Sequence, residues 1–190
     1  MRCLMCESLS LKHICKSCQS TYLKPSLYKR HLQDGTLVLS FYKYDDIKDL
    51  LHTKHTDIGF YIYNILAKNS LKKFANTFNM QDTFVSIAVD DNPDENYSHT
   101  AILNRVLNSS RIKPVYNKLL AQDSVSYSGK SRAYRLANPR NFHLKAFKQK
   151  NVILVDDIIT TGTTLLEAVK ILQASDKEVF LCLTLCDVSP

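Results

Sequence analysis

Val152-Ile153-Leu154-Val155-Asp156-Asp157-Ile158-Ile159-Thr160-Thr161-Gly162-Thr163-Thr164 is the stretch around which the rest of the chain organises. The apolar run predicts a buried strand over 151–155, ended by two acids. A turn of small hydroxyl residues with one glycine follows, and a helix is expected over 163–174. In open α/β sheets ligands bind at this kind of place, beyond the carboxyl end of a strand and before a helix. A helix start offers unpaired N–H groups and partial positive charge, which suit a phosphate dianion. Gly162 lets backbone approach a ligand closely, and Thr160, Thr161, Thr163 and Thr164 add hydroxyl donors. Asp156 and Asp157 would repel a phosphate, so the expectation is that both face solvent at the strand end and take its uncharged neighbour, a pair of ribose hydroxyls.

The chain has only four glycines, Gly35, Gly59, Gly129 and Gly162. Neither a GxGxxG fingerprint nor a Walker loop can be built from them, which removes the two commonest phosphate-binding motifs. At 190 residues and 45% hydrophobic the chain suits one α/β domain with a small appendage. No apolar run approaches the ~18–20 residues of a bilayer span, and the first residues lack a signal-peptide core. The expected compartment is the cytoplasm, with the six cysteines reduced or metal-bound.

Outward from the loop the pattern alternates. Strands are expected at Thr36–Tyr44, Phe84–Val89, Lys113–Tyr116 and Glu178–Leu185. Asp45 and Asp46 suit a helix start. A long amphipathic helix is expected over 57–78, with apolar face Ile58, Tyr61, Ile62, Ile65 and Leu66 and a break near Asn69–Ser70. Ser98 suits the cap of a helix carrying Ile102, Leu103, Val106 and Leu107. Strands alternating with helices predict a mostly parallel sheet flanked by helices.

Cys3-x2-Cys6-x8-Cys15-x2-Cys18 is a pair of CxxC turns that can aim four thiolates at one tetrahedral zinc. Four sulfurs fill the shell without His13 and leave no place for catalytic water, so the expected role is structural. Residues 1–20 form this knuckle, 21–35 a connector and 36–190 the α/β domain. Cys182 and Cys186, four apart in a strand, are expected on one face as core packing. The net charge of +7 is uneven. Residues 111–150 hold ten Lys/Arg against one acid, Asp123, which suggests an anionic partner. Lys130, Arg132 and Arg135, set among Ser128, Gly129 and Ser131, are its candidate anion- or DNA-binding residues.

The loop at 152–164 resembles the phosphoribosyl-pyrophosphate (PRPP) signature of type I phosphoribosyltransferases. The resemblance implies that Asp156 and Asp157 hold the ribose 2′- and 3′-hydroxyls, that Thr160, Thr161, Gly162, Thr163 and Thr164 hold the 5′-phosphate, and that magnesium accompanies PRPP. With the N-terminal four-cysteine knuckle, the chain resembles the ComF (ComFC-like) competence family. Residues 42–51 followed by Lys54 are similar to that family's tyrosine–helix–lysine segment. Residues 129–138 with Phe142 are similar to its basic R-x-x-N-x-x-x-F segment, matched by Arg135, Asn138 and Phe142. One stretch departs: residues 90–100 open Asp-Asp-Asn-Pro-Asp-Glu, where the family has an arginine-rich segment. That puts pyrophosphate contacts, and so turnover, in question.

The resemblance implies a PRPP-binding protein of natural transformation that handles imported single-stranded DNA, with protein partners in DNA uptake. Basic residues would follow the DNA backbone while Tyr127 and Tyr134 stack on bases. The alternative is a metabolic phosphoribosyltransferase acting on a base or amine with release of pyrophosphate, residues 124–135 serving as a lid. A third is a regulator that senses PRPP and signals through the knuckle.

Overall fold

The computed structural model describes residues 1–54, 56–89, 97–122, 134 and 140–189. Its centre is the strand β7, Asn151–Ile159, whose Val152–Val155 run is wholly buried. Such a run is apolar on both faces because helices cover both sides of a parallel sheet. On one side lies β8, Glu178–Asp187, and on the other β3, Phe84–Ala88, both parallel to β7. Outside β8 come β2, Leu37–Lys43, and then β1, Tyr28–His31; outside β3 comes β4, Ile112–Val115. The order is β1-β2-β8-β7-β3-β4, parallel except for β1, which runs antiparallel to β2. β1 lies within the segment read from sequence as a connector. Its side chains, Tyr-Lys-Arg-His, alternate half-buried and exposed, so no apolar signal marks it.

Two apolar clusters sandwich the sheet. One packs α2 (Tyr44–Leu51), α3 (Asp57–Asn69), α4 (Leu71–Thr77) and α5 (His99–Arg105) against the strands. The other lies under α6, Thr163–Ala174, through Leu165, Ala168, Val169 and Leu172. Leu119 of β5 (Leu119–Ala121) and Phe142 of β6 (Phe142–Leu144) join this second cluster. These two short strands form a separate antiparallel ribbon. Cys182 and Cys186 are both fully buried, but in different clusters, so they do not share the face that their spacing suggests.

The helix expected over 57–78 breaks at Ser70, which leaves helical geometry at φ −114°, ψ −85°. Its hydroxyl and its N–H both donate to the Leu66 carbonyl, at 2.7 and 3.1 Å. Within α3 the buried stripe is Gly59, Ile62, Tyr63, Leu66 and Ala67, while Ile58 and Tyr61 are exposed. Ser98 caps α5, its hydroxyl accepting from Ala101 N at 3.1 Å. Among the described residues no helix is long and apolar enough to cross a membrane.

The knuckle ends in α1, Lys16–Tyr22, and is fastened to the domain. Cys3, Ile14, Cys18 and Leu23 belong to the same cluster as Tyr63 and Leu66. Asn69 Nδ2 donates to Gln19 Oε1 at 3.3 Å, and the rings of His13 and Tyr61 lie 4.5 Å apart.

Candidate functional site

The end of β7 is where chain geometry and chemistry converge. The strand does not stop at Val155 but continues to Ile159, because β8 pairs with it through Asp156↔Thr184, Ile158↔Cys186 and Ile159↔Asp187. Extended backbone sends successive side chains to opposite faces. The two acids therefore part. Asp156 faces the α6 side and lines an open hollow of about 210 Å³ with Thr160, Gly162, Thr163 and Thr164. The hollow is small and open to solvent, and suits one compact group of a ligand. Asp157 faces the α3 and α5 side and is 8% exposed, not open to solvent as the sequence suggests.

Gly162 sits at φ +77°, the left-handed region, immediately before α6. A Cβ there would lie 2.7 Å from Leu32 Cδ2. The position thus needs glycine for its dihedral and for the close approach of the residue that follows β1. The turn brings the first amides of α6, which have no carbonyl partner a turn earlier, to the mouth of the hollow. Thr161 and Thr163 hydroxyls pair at 2.9 Å. From the edge strand, Arg30 Nη1 donates to the Thr160 carbonyl at 3.1 Å and to Asp187 Oδ1 at 2.9 Å. Val188 N donates to the Ile159 carbonyl at 3.0 Å. The loop is therefore braced from β1 and β8.

The two carboxyls are shifted in opposite directions. Burial, then the neighbouring negative charge of Asp157, pushes the Asp156 carboxyl well above the ordinary carboxylate range. Burial acts in the same sense on Asp157 but is overcome. His99 Nε2 lies 3.3 Å and Lys54 Nζ 3.6 Å from Asp157 Oδ2, and together they hold this carboxyl well below its usual range. Tyr63 Oη makes a longer contact to the same oxygen at 3.5 Å. The upward shift of Asp156 lessens the conflict between an acid and a phosphate in one hollow, while its Oδ1 accepts from Asp157 N at 2.8 Å.

Sequence reasoning placed Asp156, Thr160, Thr161, Gly162, Thr163 and Thr164 on one loop, and these the structure brings together. It missed Arg30, His99 and Tyr63, and noted Lys54 only within a longer segment. All four lie far from the loop in sequence and carry no local pattern. Lys130, Arg132, Arg135 and Tyr127, and the acidic stretch 90–96, lie outside the described residues. Tyr134 is 39% exposed.

The four N-terminal sulfurs lie within 4.8 Å of one another. Cys6 Sγ and Cys15 Sγ are 3.8 Å apart. A tetrahedral shell of four thiolates with bonds of ~2.3 Å requires sulfurs ~3.8 Å apart. Cys15 N and Cys18 N point at Cys3 Sγ and Cys15 Sγ at 3.3 and 3.4 Å, as amides do toward thiolates. This donor set fits a tetrahedral metal ion such as zinc.

Residues 107–189, from just after α5 to beyond β8, match the family model of the phosphoribosyl transferase domain. The matched stretch, less than half of the chain, contains β7, the threonine loop and α6. Solved structures similar to it include a hypoxanthine phosphoribosyltransferase from Staphylococcus aureus, 15% identical over 66% of this chain, with TM-score 0.39. This chain spans 62% of that enzyme's length. An orotate phosphoribosyltransferase from Aeropyrum pernix is 14% identical over 90% of this chain and 80% of its own, also with TM-score 0.39. Likeness of this degree carries no inference about activity. No curated protein matches the chain.

Proposed function

We propose that this is a PRPP-binding protein of the ComF type, which handles single-stranded DNA entering the cytoplasm during natural transformation. The observation that carries the ligand reading is the hollow at the end of β7, where a left-handed Gly162, three threonines, a helix start and the raised Asp156 carboxyl converge. Amides and hydroxyls of residues 160–164 take the 5′-phosphate. Asp156, which lines the same hollow, meets the sugar-phosphate there. Asp157, turned to the other face, holds Lys54 and His99 at the carboxyl edge of the sheet and meets the sugar only at its rim.

Magnesium enters with the ligand. The hollow offers one carboxyl and several hydroxyls, too few anionic oxygens for an all-protein magnesium cage, which suits an ion held mainly by the ligand's own phosphates and by water. Bound, it would neutralise pyrophosphate charge. Zinc at Cys3, Cys6, Cys15 and Cys18 is structural, closing the knuckle on the core.

The DNA reading rests on the basic segment and on the ComF resemblance of residues 42–54 and 129–142. Calorimetric titration with magnesium–PRPP, with and without a short single-stranded oligonucleotide, tests both parts. The proposal expects PRPP to bind at micromolar or tighter concentrations and the oligonucleotide to bind in a salt-dependent way. Release of pyrophosphate with any base or amine acceptor would instead establish the transferase reading, which the domain match 107–189 keeps in play.

A further inference from the structure

The acid pair of β7 reads in sequence as a grip for two ribose hydroxyls, but the fold does not assemble that grip. Only Asp156 lines the hollow, and its Oδ1 already accepts from Asp157 N at 2.8 Å. Asp157 is turned to the opposite face, where its Oδ2 meets His99 at 3.3 Å, Tyr63 at 3.5 Å and Lys54 at 3.6 Å. A vicinal hydroxyl pair is held firmly by a carboxylate with both oxygens open to it, and neither acid offers that. A site rejects an analogue lacking one hydroxyl strongly only where a buried partner is then left unpaired. Here one oxygen of each acid is engaged by the protein itself. A sugar without its 2′-hydroxyl therefore leaves little unsatisfied.

What the hollow is built to read is the phosphate. Gly162 at φ +77° turns the chain into α6, and Thr160, Thr163 and Thr164 line the hollow with it. The unpartnered amides of the first helical turn complete an anion site. Two arginines stand at its borders. Arg30 is braced on the Thr160 carbonyl at 3.1 Å. Arg140, whose amide donates to Glu167 Oε2 of α6 at 3.2 Å, is near enough for its charge to oppose the upward shift of Asp156. The hollow is small and open, so it covers one phosphate with part of one sugar and leaves whatever the sugar carries outside, beside these cations. Resting on the sugar-phosphate reading of this site, we infer that the hollow also takes 2-deoxyribose 5-phosphate, and with it the 5′-phosphorylated end of a single DNA strand. The small ligand and the strand then compete for one site, and the strand is held by its end as well as along its backbone.

The test titrates the full chain with ribose 5-phosphate and with 2-deoxyribose 5-phosphate by calorimetry. It then compares, by fluorescence anisotropy, two short single strands of one sequence, labelled at the 3′ end and carrying either a 5′-phosphate or a 5′-hydroxyl. The inference expects the two sugar phosphates to bind within about threefold of each other, since no buried acceptor waits for the 2′-hydroxyl. The 5′-phosphorylated strand should bind about tenfold or more tightly than its 5′-hydroxyl counterpart, because even one charge-assisted hydrogen bond to a phosphate is worth roughly that factor. Excess ribose 5-phosphate should erase the difference between the strands, and so should Gly162→Ala. Binding of ribose 5-phosphate with much weaker binding of 2-deoxyribose 5-phosphate overturns the inference and leaves the sugar-phosphate reading standing. Equal binding of the two strands, or a preference that excess ribose 5-phosphate fails to remove, overturns it in the same way. If neither sugar phosphate binds, the sugar-phosphate reading falls and the inference falls with it.

Discussion

Arg30 Nη1 lies 2.9 Å from Asp187 Oδ1 and, with the same nitrogen, 3.1 Å from the Thr160 carbonyl. An edge strand, the last strand and the phosphate loop are thereby joined at one guanidinium. Asp187 is 1% exposed and Arg30 part-exposed. Removing the cation leaves a buried carboxylate with the Ser189 amide, 2.8 Å away, but without its ion-pair partner. Arg30→Met should cost on the order of 2–3 kcal/mol, somewhat below a wholly buried pair. It should also loosen Thr160, so the affinity for ribose 5-phosphate falls along with Tm. Arg30→Met combined with Asp187→Asn should recover part of the Tm but not the affinity, which thermal denaturation and titration together would show.

A second expectation concerns proton binding at Asp156. Its pKa is raised in the fold, above an ordinary carboxylate near 3.8. The native state therefore binds a proton that the unfolded state has released. Stability from this group is full below the unfolded value and declines as pH rises toward the raised one. Asp156→Asn should flatten that decline and leave the protein as stable as the parent or more so at neutral pH. Phosphate affinity in the parent should also weaken as Asp156 ionises. The variant should lack that pH dependence, measurable by titrating ribose 5-phosphate across the pH range.

Asp157 behaves with the opposite sign. Its folded pKa is depressed, through the His99 hydrogen bond and the charges of His99 and Lys54. Its contribution is present above the ordinary carboxylate range and is lost as pH falls below it. Asp157→Asn removes the anion facing Lys54 and His99 and should destabilise by about 2–4 kcal/mol at neutral pH. Lys54→Met should be milder, because His99 remains 3.3 Å from the carboxylate. Acid unfolding followed by circular dichroism should place the midpoint of the Lys54 variant at a higher pH than that of the parent.

Much of this site was legible in the sequence because its parts are contiguous. The apolar run 152–155, the glycine at 162 and the helix from Thr163 follow one another, and each obeys a local rule. The partition of Asp156 from Asp157 was not legible. It depends on β7 running on to Ile159, which β8 enforces through pairs such as Ile158↔Cys186. Nor were Arg30, His99 and Tyr63, since their partners lie as many as 157 positions away. The same holds for β1, whose polar Tyr-Lys-Arg-His reads as linker until β2 pairs with it. At the knuckle the CxxC spacing pointed to the sulfur cluster, while its docking against Tyr61 and Asn69 required the tertiary fold.

Zinc removal should reach beyond the first residues. Cys3 and Cys18 share a buried cluster with Tyr63 and Leu66, so losing the metal loosens one face of the domain as well as the knuckle. Structural zinc contributes on the order of 10 kcal/mol to folding in isolated knuckles. Chelation should therefore release one zinc per chain and lower Tm markedly, with increased amide exchange in α3. If Tm and α3 exchange stay unchanged after complete zinc loss, the knuckle is an independent appendage.

The central claim is that the hollow between Asp156 and the first turn of α6 holds a sugar 5′-phosphate. Calorimetric titration of ribose 5-phosphate and of ribose, into the parent and into Gly162→Ala, tests it most directly. The alanine must adopt φ near +77° at a cost of about 1–2 kcal/mol and displace the Leu32 side chain. The account predicts that the parent binds ribose 5-phosphate and not ribose, and that Gly162→Ala remains folded by circular dichroism but binds at least tenfold more weakly. Equal binding of ribose and ribose 5-phosphate, or undiminished binding by the folded Gly162→Ala protein, would contradict it.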